Sequence, residues 1–118
     1  MIKVSVYYPK TEDVEFDVDY YCNRHVPMVM EELGDACIKV SVETGICGAN
    51  ANEPMLYVAV GHLYFESLEI FQKAFEPCAE TIIKDIANCT NATPIIQISE
   101  VIVEWFWKSL MILPDCFL

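Results

Sequence analysis

Apolar and polar positions alternate at the start of the chain, with Ile2, Val4, Val6 and Tyr8 set against Lys3, Ser5 and Tyr7. A period of two marks a strand with two unlike faces, and Pro9 ends it. An acidic loop, Thr11-Glu12-Asp13, follows. The period then lengthens: Val18, Tyr21, Cys22, His25, Val29 and Leu33 recur every three or four residues, which is one face of a helix. Asp17 stands where a carboxylate can accept from the open amides of the first turn, and Gly34 supplies the stop. Pro27 lies inside this helix. Its ring removes a backbone donor and crowds the preceding turn, which predicts a kink or broken turn near His25.

Ile38, Val40, Val42 and Thr44 alternate with Lys39, Ser41 and Glu43 in a second strand, closed by Gly45 and Gly48. Residues 49–54 read as a loop. Met55 to Phe65 is apolar or aromatic on both alternating faces, the pattern of a central strand covered on both sides. Ser67 caps a second helix with Leu68, Phe71, Phe75, Ala79, Ile82, Ile83 and Ile86 on its apolar stripe and Pro77 as an interruption. Ile95 to Glu104 reads as the last strand.

The order is β-α-β-β-α-β. With right-handed crossovers this gives an α+β, ferredoxin-like layer: a four-stranded antiparallel sheet with both helices on one face. The other face has no cover within one chain, so a homodimer formed face to face is expected. The domain spans residues 1–104. The apolar tail at 105–118, containing Trp105-Phe106-Trp107, is too short to cross a membrane and is expected to pack on the dimer.

Length and charge narrow the functions. A chain of 118 residues is one domain. Seven basic against eighteen acidic side chains give a net charge of −11, which repels phosphate and disfavours nucleic acid and anionic lipid. Neutral or cationic small molecules remain open as ligands. The six cysteines include no C-x-x-C pair, and the alternating start does not read as a signal peptide, so reduced thiols in the cytoplasm are expected. No Gly-rich nucleotide motif occurs, and no cofactor is expected.

The segment Phe16-Asp17-Val18-Asp19-Tyr20-Tyr21, then His25-Val26-Pro27-Met28, resembles the F-D-x-x-Y-Y-x-x-x-H-x-P signature of the EthD (ethyl tert-butyl ether degradation) family. Val58 to Leu68, Asp85 to Asn91 and Pro94 to Val101 are similar to later segments of the same family. The resemblance implies a dimeric α+β barrel with a pocket between helices and sheet for a small hydrophobic or aromatic molecule. It constrains the fold far more than the chemistry, because one scaffold hosts many reactions.

His25 is the leading candidate for catalysis. It falls on the apolar stripe of the first helix beside the Pro27 irregularity, where a neutral imidazole can act as base or acid. The competing reading is a hydrogen-bonded core histidine that pins the helix to the sheet. Tyr20, Tyr21 and His62 are candidates for ligand binding. His62 would share a pocket with His25 if its strand face points at the helices, and could not meet it if that face points outward. Two histidines without a nearby carboxylate leave a metal's coordination open, so no metal is expected. Cys22, three residues before His25, reads as core, and so does the Phe71–Phe75 pair. Asp85 and Glu100 could orient a histidine, with surface or capping roles the plainer expectation. Three functions remain open: proton-transfer chemistry without a cofactor (oxidation, isomerisation or decarboxylation), a non-catalytic accessory or carrier of an oxygenase system, and haem binding through His25.

Overall fold

A computed structural model describes residues 1–105, so the tail reading at 106–118 lies outside the described residues. The first strand, β1, spans Ile2–Pro9. A short helix α1 (Val18–Tyr20) continues through a π-helical turn (Tyr21–His25) into α2 (Val26–Leu33) and a 3-10 turn (Gly34–Ala36). Strands β2 (Lys39–Thr44) and β3 (Tyr57–Phe65) follow. Helix α3 (Leu68–Phe75) passes through a 3-10 turn (Glu76–Cys78) into α4 (Ala79–Cys89), and β4 is Ile95–Glu100.

The helix starts are capped as the side chains dictate. Asp17 Oδ1 accepts from the Tyr20 amide at 3.0 Å, and Ser67 Oγ accepts from the Ile70 amide at 3.2 Å. Gly34 ends α2 at φ 59° and ψ −144°, a conformation essentially reserved for glycine. Both prolines fall at breaks. Pro27 opens α2 directly after the π turn, and Pro77 sits in the 3-10 turn that splits α3 from α4.

The sheet is antiparallel with strand order β2-β3-β1-β4. Val4 lies opposite Leu63 and Ile98, while Ser5 lies opposite His62 and Gln97, and this register assigns every side chain to a face. Val4 and Phe65 pack with Val29 and Leu33 of α2 and Ile82 of α4, so both helices cover one face of the sheet. A second cluster joins Tyr8 and Ala59 to Tyr21 and Cys89. Phe65 is fully buried, with its ring tilted against Phe71 at 5.0 Å, and Phe71 stacks on Phe75 at 5.3 Å.

Two expectations need correction. Strand β3 is interior to the sheet but is covered by helices on one face only. The face without helices is not an apolar surface: it presents Lys39, Ser41, Glu43, His62, Gln97 and Ser99 among Val60 and Tyr64. Aromatic and β-branched residues suit a strand on either face, so the run from Met55 to Phe65 could not report a second covering layer. The last strand stops at Glu100, with one further hydrogen bond from the Val101 amide to the Met1 carbonyl at 2.9 Å. No described helix is long and apolar enough to cross a membrane.

Candidate functional site

His25 owes its position to two local constraints. The Val26 amide bonds to the Tyr21 carbonyl, five residues back, which widens the helix by one residue where the Pro27 ring would otherwise crowd the Asn23 carbonyl. The start of α1 is clamped to the end of α4. Asp17 N–H donates to the Cys89 carbonyl at 2.8 Å, Phe16 bridges Thr90, and Asn91 Oδ1 accepts from the Glu15 amide at 2.8 Å. The two helices therefore run side by side with His25 facing Asp85.

His25 Nδ1 lies 2.9 Å from Asp85 Oδ2. The other carboxylate oxygen accepts from the Tyr20 hydroxyl at 2.7 Å and from Asn88 Nδ2 at 2.9 Å. Burial opposes the Asp85 charge, but hydrogen bonds from Asn88, Tyr20 and His25 outweigh it and hold its pKa below the ordinary 3.8. An ionised carboxylate only accepts, so His25 Nδ1 carries the proton of this bond. The bond to Asp85 in turn holds the Tyr20 phenol above its usual value and keeps it a donor. Because the folded pKa of Asp85 is lowered, its contribution to stability is full above the unfolded value near 3.8 and is lost as pH falls through the folded one. In urea melts, the stability gap between wild type and Asp85→Asn should narrow as the pH falls below the unfolded value near 3.8 and through the lower folded one. A gap that persists unchanged in acid would show that the carboxylate's charge is not what stabilises the cluster.

His25 is 4 % exposed and forms one wall of a cavity of about 270 Å³ between the helices and the sheet. The sheet contributes Val4, Val6, Ile96 and Ile98, and the helices contribute Val29 and Ile86 among others. The cavity opens at the β4 edge, where Ile83, Ile96 and Ile98 are about half exposed. Among the described residues its lining holds no charged side chain other than His25 if protonated, and one hydroxyl, that of Tyr8, which is 1 % exposed. Burial, and then the neighbouring Tyr21, push the Tyr8 phenol far above its usual value, so it stays neutral. Among the described residues His25 Nδ1 is the ring atom in a hydrogen bond, while no buried side-chain nitrogen or oxygen lacks a partner. Among the described residues no hydrogen bond involves Nε2, so it is the nitrogen free for a ligand.

The other candidates fall elsewhere. Tyr21 is buried beneath His25, stacked on it at 5.3 Å and set edge-on to Tyr8 at 5.6 Å, so it supports the imidazole from below. Tyr20 reaches Asp85 from the far side, in a separate groove shared with Arg24 and Lys84. His62 lies on the opposite face of the sheet from the cavity and cannot meet His25. There its Nδ1 is 2.8 Å from Ser5 Oγ and its Nε2 is 3.3 Å from Glu43 Oε2. That serine–histidine–carboxylate chain ties three strands together, but Ser5 is only 1 % exposed. Cys22 is exposed rather than core, because the π turn rotates it off the apolar stripe. Glu100 is exposed on β4 and bonds neither histidine. Asp85 is the site residue that sequence reasoning undervalued; its place within the family-like segment was the available signal.

His25, Asp85 and Cys89 bring donor atoms within 4.8 Å of one another. The Cys89 thiol donates to the Asp85 carbonyl, and burial followed by the charges of Asp85 and Asp17 pushes its pKa up to about 12. A cation would have to displace that thiol proton and the Nδ1–Asp85 bond together, so the trio is built as a hydrogen-bonded network.

The model of the EthD domain family matches residues 9–93. The chain is similar to the crystal structure of an EthD-like protein from Ralstonia eutropha JMP134, with 45 % identity over 89 % of this chain and 95 % of that one and a TM-score of 0.84. An ethyl tert-butyl ether degradation family protein from Bacillus halodurans C-125 aligns at 18 % identity over 86 % of this chain and 99 % of that one, with a TM-score of 0.61. HapK from Hahella chejuensis aligns at 12 % identity over 88 % and 96 % of the respective chains, with a TM-score of 0.54. These last two likenesses bear on the fold alone. No match was found among curated proteins.

Proposed function

The chain belongs to the EthD family, and on that footing we propose that it binds a small, mainly apolar or aromatic compound between helices and sheet, with His25 moving a proton to or from it. One observation carries this reading. A buried imidazole, oriented through Nδ1 by a carboxylate, leaves its other nitrogen accessible at a cavity that is otherwise apolar. That is the arrangement of an oriented general base, with Asp85 balancing the charge that His25 gains on accepting a proton. Abstraction from an acidic carbon and return at another position is an isomerisation. An oxidation would take dioxygen as electron acceptor. The cavity lies just under the range of roughly 300–1,000 Å³ usual for ligand pockets, which favours a compact ligand over a haem macrocycle.

The test is a thermal-shift screen of the pure protein with small aromatic, quinone and ether compounds alongside haem. The expected result is a concentration-dependent rise in Tm with at least one compact compound, abolished by Ile83→Trp, which fills the mouth of the cavity. A folded protein that shifts with none of them sinks the reading. Binding without turnover of any compound would make the protein a carrier or accessory.

We propose a second copy as partner: Ile46 and Leu56, in the loops after β2 and before β3, stand 88 % and 76 % exposed and would be covered by it. Light scattering should give a mass near twice the 13.5 kDa of one chain; a monomer at micromolar concentration ends the dimer proposal.

A further inference from the structure

We infer that the cavity selects a neutral ligand carrying one hydrogen-bond donor, a phenol-type hydroxyl on a compact apolar body, and refuses ethers, ketones and carboxylates. This rests on the proposed ligand cavity and goes further by naming the chemistry it admits.

The hydrogens around Asp85 set the His25 tautomer. Oδ1 faces two groups that can only donate to it, the Tyr20 hydroxyl and Asn88 Nδ2, and Oδ2 faces His25 Nδ1. Nδ1 must therefore hold a hydrogen, and in the neutral ring Nε2 is then a bare acceptor. Among the described residues the cavity wall offers Nε2 no donor, because the remaining described lining is aliphatic and aromatic apart from the buried Tyr8. An occupant that displaces water from this space must satisfy Nε2 or leave it unpaired, at a cost of about 1–3 kcal/mol. An ether or ketone oxygen has nothing to donate. A carboxylate brings a charge into a protein of net charge −11, and among the described lining residues only His25 could offset it, by first taking up a proton. A hydroxyl meets the demand. The volume of about 270 Å³ compares with roughly 150 Å³ for an apolar cavity that holds one benzene ring, leaving room for a substituted ring or a small fused pair.

The tautomer can be reversed by one substitution. In Asp85→Asn the amide oxygen is drawn to the place of Oδ1, since two donors converge there. The amide NH2 then faces His25 Nδ1, which must become the acceptor, and Nε2 acquires the hydrogen. Selectivity should invert with it.

The experiment measures Kd by calorimetry for four probes of one shape: ethylbenzene, 4-ethylphenol, 4-ethylacetophenone and 4-ethylbenzoate. In the wild type, 4-ethylphenol should bind roughly tenfold more tightly than the ketone, with the benzoate weakest. In Asp85→Asn the ketone should overtake the phenol, and in His25→Phe the neutral probes should bind within a factor of about three of one another. The ¹⁵N shifts of the His25 ring read the tautomer directly and need no variant to fold. Equal binding of phenol, ketone and ethylbenzene by the wild type, or a hydrogen found on Nε2 of the neutral ring, overturns the inference and leaves the ligand cavity standing. Failure of all four probes to bind counts against the ligand cavity itself, and the inference falls with it.

Discussion

Gly61→Val is expected to lower the unfolding free energy by about 3 kcal/mol in urea melts, the upper end of the range for overpacked cores. Gly61 sits on the helix-covered face of β3, and the Tyr21 hydroxyl lies directly over it, so that an added β-carbon would overlap the phenol oxygen. Gly61→Ala should cost about 2 kcal/mol for the same reason. Tyr21→Phe in the Gly61→Ala background should recover most of that loss, since only the oxygen is in the way and the ring carbons stand 3.5 Å or farther from the new atom. If the double variant is no more stable than the single one, the close approach is not the cause. The site is involved as well as the fold, because Tyr21 carries the His25 ring stacked on it.

For any compound that is turned over, His25→Ala should reduce kcat about 10²–10⁴-fold, the usual contribution of a positioned acid–base group. KM should change little in comparison, because most of the cavity wall is hydrocarbon and survives the truncation. A reduction below about threefold in a variant that still binds would remove His25 from the chemistry.

The sheet and its two helical units could be read from periodicity because each element has one covered face, and burial on one face is what a period records. His25 on the inner face of its helix followed from the same rule. His62 did not, since valine, tyrosine and histidine are at home on either side of a strand, and only pairing with Ser5 shows which way it points. Asp85 escaped for a different reason. A carboxylate on an amphipathic helix normally reads as solvated, and its partner here lies 60 positions away, on another helix. The exposure of Cys22 was hidden by the π turn, which a 3.6-residue wheel cannot represent.

That π turn gives the helix a reading frame. Tyr21 to His25 contains one residue more than a regular turn would hold, and one residue is about 100° of rotation about the helix axis. Remove a residue there, Asn23 for instance, and the backbone closes into an ordinary helix whose two halves no longer agree. If Val29 and Leu33 keep their places in the core, the residues before the deletion turn away from α4, and Asp17, Tyr20 and the clamp to Cys89 go with them. If the clamp holds, Val29 and Leu33 rotate off the sheet. A length change at this point therefore cannot be neutral, whereas the exposed loop at 49–54 could lose or gain a residue without any side chain of the site changing direction.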